Sequence, residues 1–531
     1  MRSFWKIAVA VLLALLAMAA GSCGSEKTAA PNPGTNVVPA EIESLAQAVT
    51  RDLTGQGYEV ARGYFELFTI EDCDYAIRVI GTCAGNNPVA PYAIPVVPTW
   101  GDEYVDPATT NLFGPTAARY SASWRFDPRE AVLVIGRLPP PARYFSYETY
   151  QFTHVGQIDT TSPPYQFLSQ FPATLPTFFG LSQSGRVLSL ASISDSINNV
   201  VIDRQSGASF GEDRVIISTP DQGMDAALRA SLARAGVPAP HVFTEPIPST
   251  TTTLGVGAAA DDFFTLIRYS MPANSEQGNT WREQLPLVLL RVRSRDSVRP
   301  AKPYPPFVLA GTRTSEDETG LAADLDALKE NVRAAWGLPP GASPPQLSDR
   351  MLDTQRSVPI NLSGPRCIEN TMNCLADNWD TSYMATFNLP LESQGGRILY
   401  AIVGTLGTRT GNATYSALSV NYARVLKGLL NVSDPDLERS QASFPQGPTP
   451  FKNGEKLFLW YVGRSCERVT GGNCTAIPES SVPLNEPIKM ILRNYVHPGT
   501  PRGPNTEPAG DPTGQSPLLT PWIVSIPLGA S

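Results

Sequence analysis

Residues 120–152 read YSASWRFDPREAVLVIGRLPPPARYFSYETYQF, and this stretch decides the fold class. Tyr120, Ala122, Trp124 and Phe126 alternate with their neighbours, the pattern of a strand with one apolar face. Asp127-Pro128 turns the chain. Ala131 to Ile135 is an unbroken apolar run of strand length, as in a strand covered on both faces. After Pro139-Pro140-Pro141, Tyr144 to Phe152 gives a third, strongly aromatic strand. Three strands joined by short turns predict a β-meander.

Working outward, strand-like runs recur at 262–271, 286–294, 382–390, 397–406, 413–423, 456–464 and 486–496. Helical spacing is clearest in three places. In 39–55, Ile42, Leu45, Ala46 and Val49 share one face and Gly55 follows the end. In RVIISTPDQGMDAALRASLARAG, Arg214 to Gly236, Val215–Ile217 is a strand. There Thr219 is the expected N-cap, Pro220 occupies N1, Gln222 occupies N3, and Met224, Leu228 and Leu232 form the apolar face. The return strand HVFTEPI completes a β-α-β unit. Leu321 to Gly337 is the third helix. By contrast, NNPVAPYAIPVVPTWGDEYVDP, residues 86–107, holds too many prolines for a central strand and is expected to lie extended over a surface.

The expected fold is therefore α+β, predominantly antiparallel β with a few short helices and one β-α-β unit, in two β-rich lobes. The boundaries expected are an N-terminal lobe with helices at 41–337, a Pro-rich linker at 338–366, a C-terminal lobe at 367–497 and an irregular Pro/Gly-rich tail at 498–531. YSASWRFDPREAVLVIG and YMATFNLPLESQGGRILYAIVG share the order Tyr-x-Ala-x-aromatic, a turn, then an apolar strand. This suits two related lobes, near 60–300 and 350–500, or two amphipathic meanders that merely look alike; the second reading is preferred.

The chain opens MRSFWKIAVAVLLALLAMAAGSC. Arg2 and Lys6 precede an uncharged run, Ile7 to Ala20, which spans only about 21 Å as a helix and falls short of a bilayer core of about 30 Å. A signal peptide over 1–22 follows. Ala17-Met18-Ala19 suits ordinary signal peptidase. Ala20-Gly21-Ser22-Cys23 resembles the lipobox of bacterial lipoproteins, with Ala20 where that motif usually has Leu. The resemblance implies a diacylglyceryl thioether on Cys23, and Gly24 after it implies the outer membrane. A small, polar tether at 23–40 fits such an anchor. PPPARYFSYETYQF is also similar to an R-Y-F/W-S-x-x-x-Y strand of some uncharacterised bacterial envelope proteins, a resemblance that brings no activity with it.

The other six cysteines form three close pairs, Cys73 with Cys83, Cys367 with Cys374 and Cys466 with Cys474. Local disulfides are the simplest solution and suit an oxidising compartment. No C-x-x-C occurs and no histidine stands near a pair, so zinc is not expected. The net charge of −8, with no polybasic run, argues against nucleic acid as a partner. No cofactor and no metal are expected; the expected partners are a membrane, through the lipid, and an unknown envelope or extracellular ligand.

The three histidines, His154, His241 and His497, are far apart in sequence. GLSQSGR, with Ser182 and Ser184, misplaces the second glycine of a G-x-S-x-G elbow. Asp195-Ser196 is similar to the Asp-Ser of GDSL-type esterases but lacks the preceding glycine and a later D-x-x-H. A hydrogen-bonded turn is the preferred reading, and Ser196 with His154 or His241 is the only serine site worth naming. In WGDEYVDP, Trp100 and Tyr104 suit stacking on a sugar beside Asp102 and Glu103; a Pro-fixed surface loop is the competing and preferred account. The leading expectation is an exported, lipid-anchored binding or surface-structural protein, and the alternative is a secreted hydrolase of an extracellular polymer or ester.

Overall fold

The computed structural model describes residues 36–296, 299–306, 318–341, 347–355, 360–394, 396–497 and 518–529. The signal segment, Cys23, most of the tether and residues 498–517 of the tail lie outside the described residues.

Two β-rich lobes are built from strands that recur in one order. In the first lobe these are β1 Tyr58–Phe68, β2 Tyr92–Pro98, β3 Glu130–Arg137, β4 Ala142–His154, β5 Val187–Ser192, β6 Asp213–Thr219, β7 Val242–Pro246, β8 Asp262–Pro272 and β9 Leu287–Ser294. In the second they are β10 Leu352–Asp353, β11 Thr381–Ala385, β12 Gly396–Thr405, β13 Tyr415–Tyr422, β14 Lys427–Ser433, β15 Leu457–Gly463, β16 Cys474–Ala476, β17 Pro487–Tyr495 and β18 Trp522–Pro527. The first lobe orders them β5-β4-β8-β2-β1-β9-β3-β6-β7. The second runs β14-β13-β17-β11-β10 in one sheet and β18-β12-β15-β16 in the other, with Arg350, just before β10, bridging to Trp522 of β18. Each strand of the first lobe thus has a counterpart nine places later. The sense of pairing is kept as well: β6 and β7 are parallel, β15 and β16 are parallel, and the other ladders are antiparallel. The related-lobes reading, which sequence comparison ranked second, is the one this topology matches.

Period-two alternation explains how the first sheet is covered on both sides. Val132 and Val134 of β3 join Phe145, Tyr147, Phe263 and Ile267 inside the curl of the sheet. Ala131, Leu133 and Ile135 point outward, where the helices Ala40–Gly55 and Gln222–Arg234 bury Val49, Leu53, Leu228 and Leu232 against them. The helix Ala322–Ala335 packs in the same way on β12 and β18 through Leu325, Leu328 and Val332. It therefore belongs with the second lobe, although its sequence position suggested the first.

Other expectations need correction. β3 and β4 are not neighbours: four strands separate them in the sheet, and they meet only across its interior. The three-strand meander is therefore absent from this region. Residues 92–98 are an inner strand, with Ile94, Val96 and Val97 fully buried. Its ladder to β8 ends at Ala93, so Pro95 falls beyond the bonds it would have broken. The β-α-β unit stands, but Asp221 caps its helix by accepting from the Gly223 and Met224 amides. Thr219 instead donates to the Glu130 carbonyl. Part of the tail, Trp522–Pro527, is a strand paired with β12.

The three close cysteine pairs are disulfide-bonded: Cys73–Cys83, Cys367–Cys374 and Cys466–Cys474. The first two occupy matching places, each joining the connection between the first and second strands of its lobe. Among the described residues, no helix is long and apolar enough to cross a membrane.

Candidate functional site

The two disulfide loops end in related stretches, CAGNN (Cys83–Asn87) and CLADN (Cys374–Asn378). Each leaves its own lobe and docks on the edge strand of the other. Cys374 and Ala376 donate backbone bonds to Ser189 and Leu190 of β5, at 2.7 and 2.8 Å. Cys83 and Gly85 donate in the same way to Val425 and Leu426 beside β14, both at 2.8 Å. The acceptors Leu190 and Leu426 both hold positive φ, 38° and 47°. Asn378 donates to the Tyr144 hydroxyl and Asn87 to that of Tyr415. This is a two-fold, self-complementary interface made inside one chain.

A cavity of about 1150 Å³ lies between the lobes, on the outward faces of β8 and β17. Alternation supplies its walls. Phe264, Leu266 and Arg268 of β8 face it from one side, and Lys489, Ile491 and Arg493 of β17 from the other. Phe68, Phe113, Phe171 and Phe178 extend the apolar lining, and Arg424, whose side chain is 69% exposed, lies at its rim. Volume, apolar walls and a few convergent polar groups are the general attributes of a ligand site.

Arg268 and Arg493 occupy matching positions. Arg268 stands opposite Tyr92 in the β8–β2 ladder and Arg493 opposite Tyr383 in β17–β11. Each guanidinium faces that tyrosine ring, at 5.7 and 5.8 Å, and donates to the visiting loop, Arg268 to the Ala376 carbonyl and Arg493 to that of Gly85.

Their counter-ions differ. Arg268 is paired with Glu148 at 3.1 Å; burial pushes this carboxyl up from its ordinary value and Arg268 opposes the shift. At the position matching Glu148 the second lobe has Ser419, whose hydroxyl accepts from Arg493. Lys489 replaces the apolar Phe264 and donates to the Thr386 carbonyl at 2.8 Å. Burial pushes its ammonium down to about 8.

Asp377 replaces the Asn86 of the first loop and accepts from Ser192 N, Ser192 Oγ and Gly364 N at 2.6–2.8 Å. Burial nevertheless raises it to about 6. A carboxyl raised above its unfolded value stabilises the fold fully below about 4, and that contribution is lost as pH rises through about 6. The shift corresponds to roughly 3 kcal/mol. Asp377→Asn is expected to remove a fall of that order between pH 4 and pH 7. Urea denaturation across this range measures it, and an unchanged slope would refute the assignment.

The residues singled out by sequence lie elsewhere. Trp100 is 5% exposed, donates to Glu130 at 3.0 Å and is faced by Arg291 and Arg293. Glu103 pairs with the buried Arg291 at 2.6 Å. Asp102 is exposed and pairs with Arg293, while Tyr104, half exposed, lies against Arg125. None of the four lines the cavity. The Ser196 hydroxyl donates to Asp380 at 2.6 Å, and Asn198, two residues on, caps a helix. His154 ends β4 and His241 ends the turn Ala239–His241; neither is hydrogen-bonded to Ser196 among the described residues. Ser182 and Ser184 bond to each other, and Ser184 to Asp106. No group of three metal-ligating side chains occurs among the described residues.

Neither a family model nor a curated protein matches the chain. Among solved structures it is similar to a putative uncharacterized protein from Burkholderia cenocepacia, at 10% identity and a TM-score of 0.35, over 92% of this chain and 88% of that one. It is also similar to the VPA0106 protein from Vibrio parahaemolyticus, at 12% identity and a TM-score of 0.32, over 75% and 86%. Both likenesses are distant.

The cavity escaped sequence reading because its walls come from strands more than two hundred residues apart. The signal available was the recurrence of Cys-x-x-Asn/Asp-Asn in CAGNN and CLADN, which marks matching loops once the lobes are known to be related.

Proposed function

We propose that this is an exported envelope protein, anchored to the outer membrane through a lipid on Cys23, that binds an apolar ligand between its lobes. The cavity of about 1150 Å³ carries this reading, since its walls are aromatic and aliphatic and its polar groups are few. Three disulfides among the described residues suit an oxidising compartment. The hydrolase alternative gains no support from Ser196, which is bonded to Asp380, or from Glu103, which is ion-paired.

The test is binding of a neutral apolar fluorophore, N-phenyl-1-naphthylamine, to the purified protein. Ala385 lines the cavity, and Ala385→Trp puts an indole into it. The wild type is expected to bind the probe and the variant to bind it at least about tenfold more weakly at an unchanged melting temperature, tenfold being about 1.4 kcal/mol. Equal binding by both proteins would overturn the assignment. Separately, Cys23→Ala is expected to move the protein from the membrane fraction to the soluble one.

A further inference from the structure

We propose that the ligand is an anionic amphiphile, its carboxylate or phosphate head paired with Arg493 of β17 and its hydrocarbon part lying along the aromatic wall of the cavity. The inference rests on the binding reading above and adds the ligand's charge and the residue that takes it.

The molecule contains its own control. The first lobe presents an arginine at the matching position of the same strand, against the same kind of tyrosine and loop carbonyl, and there Glu148 balances it. Arg268 also lies close enough to Asp377 and Asp380 to lower both carboxyls electrostatically. At the matching places around Arg493 stand Ser419 and Asn86, both neutral. Arg493 is 4% exposed, and its described hydrogen bonds go to a hydroxyl and a carbonyl. Among the described residues no acid lies within ion-pairing distance of it or of Lys489. Two acids line the cavity: Glu486 is engaged by Arg424 at 3.1 Å, and Asp377 accepts from Ser192 and the Gly364 amide.

Relative to the first lobe, two exchanges act in one direction. Serine in place of Glu148 removes a carboxylate and lysine in place of Phe264 adds an ammonium, so each makes this wall more positive by one unit. A cation withdrawn from water is costly unless an opposite charge meets it. The planar guanidinium fork suits a carboxylate or phosphate and binds it in bidentate fashion. Lys489 stands four residues from Arg493 on the same strand face, about 13 Å along it, beside Glu486 and Pro487. It carries positive potential towards the rim, along the path an entering head would follow. Phe264 and Leu266, on the facing wall, offer the hydrocarbon part an apolar surface.

The test compares dodecanoate, dodecyl phosphate and dodecanol by calorimetry on the full chain. At least one anion is expected to bind about tenfold or more tighter than the alcohol, a difference of about 1.4 kcal/mol or more, and the two anions together show which head is preferred. Ser419→Glu recreates the Glu148–Arg268 pair on the second wall. It is expected to abolish the preference for anions while leaving dodecanol binding unchanged. Lys489→Met is expected to reduce the preference without affecting folding. Equal affinity for dodecanol and both anions, or an anion preference that survives Ser419→Glu, would overturn the charge assignment and leave the apolar cavity reading standing. Failure of all three compounds and of the neutral fluorophore to bind would overturn both.

Discussion

Arg291→Met is expected to lower the unfolding free energy at pH 7 by about 3–5 kcal/mol, the usual cost of removing one partner from a buried ion cluster. Arg291 is fully buried. It pairs with Glu130 and Glu103 and donates to the carbonyls of Pro98 and Arg125 at 2.8 and 2.6 Å. It thereby ties β9 to β3 and to the loop that follows β2, beneath the ring of Trp100. Methionine fills much of the space but leaves two carboxyls facing each other without a cation. Burial already pushes Glu130 up to about 7 with the arginine present, and its loss raises this group further. The penalty is therefore greatest above pH 7 and shrinks as pH falls and the carboxyl takes up a proton. Chemical denaturation at pH 7 and pH 5 measures both effects. A loss below about 1 kcal/mol at pH 7, the range of an exposed pair, would refute the buried-cluster account.

Gly364→Ala is expected to cost about 3 kcal/mol, at the upper end of overpacking effects. A Cβ on Gly364 would lie 1.8 Å from the Ser192 carbonyl oxygen and 2.5 Å from its hydroxyl. The obstacle is backbone of β5, which has little freedom to move. The same glycine donates its amide to Asp377, so the methyl group pushes the Cys367–Cys374 loop away from the strand it covers. Weaker binding of the neutral fluorophore is expected alongside the lower urea midpoint, because Cys374, Leu375 and Ala376 form part of the cavity wall. An unchanged midpoint together with intact probe binding would show that the loop is not held at this point.

Most elements were legible in the sequence because each depends on local pattern. The apolar run Ala131–Ile135 and the aromatic run Tyr144–Phe152 gave strands, and the close cysteine pairs gave local disulfides. The alternation at 120–126 did not, since only Tyr120–Ser121 is strand and Trp124 makes a single bridge to Phe263. Neighbour relations were not legible. β3 and β4 are separated by only four residues, three of them proline, yet the chain carries them to opposite parts of a curled sheet, where their side chains meet across the core. The strand at Tyr92–Pro98 was hidden by its prolines, since local propensity cannot show that a ladder ends before Pro95. The Trp100 loop drew notice for its aromatic and acidic residues. Its arginine partners, Arg291 and Arg293, lie nearly two hundred residues away and turn an apparent binding surface into an ion cluster. Arg268 and Arg493 look like ordinary strand residues; only their matching places in two lobes, with Glu148 beside one and Ser419 beside the other, set them apart.

The crossed loops have a consequence for how the chain comes apart. With one crossing closed, the tether between the lobes and the closed contact together keep the partners of the other at high effective concentration, as in a bivalent ligand with one arm bound. Release of a single loop is then followed by recapture more readily than by separation. Each crossing also covers a sheet edge, and an uncovered edge is a template for pairing with another chain. A substitution in one loop consequently reports the strength of that crossing alone, and the full hold of the two halves on each other is measured only when both are cut.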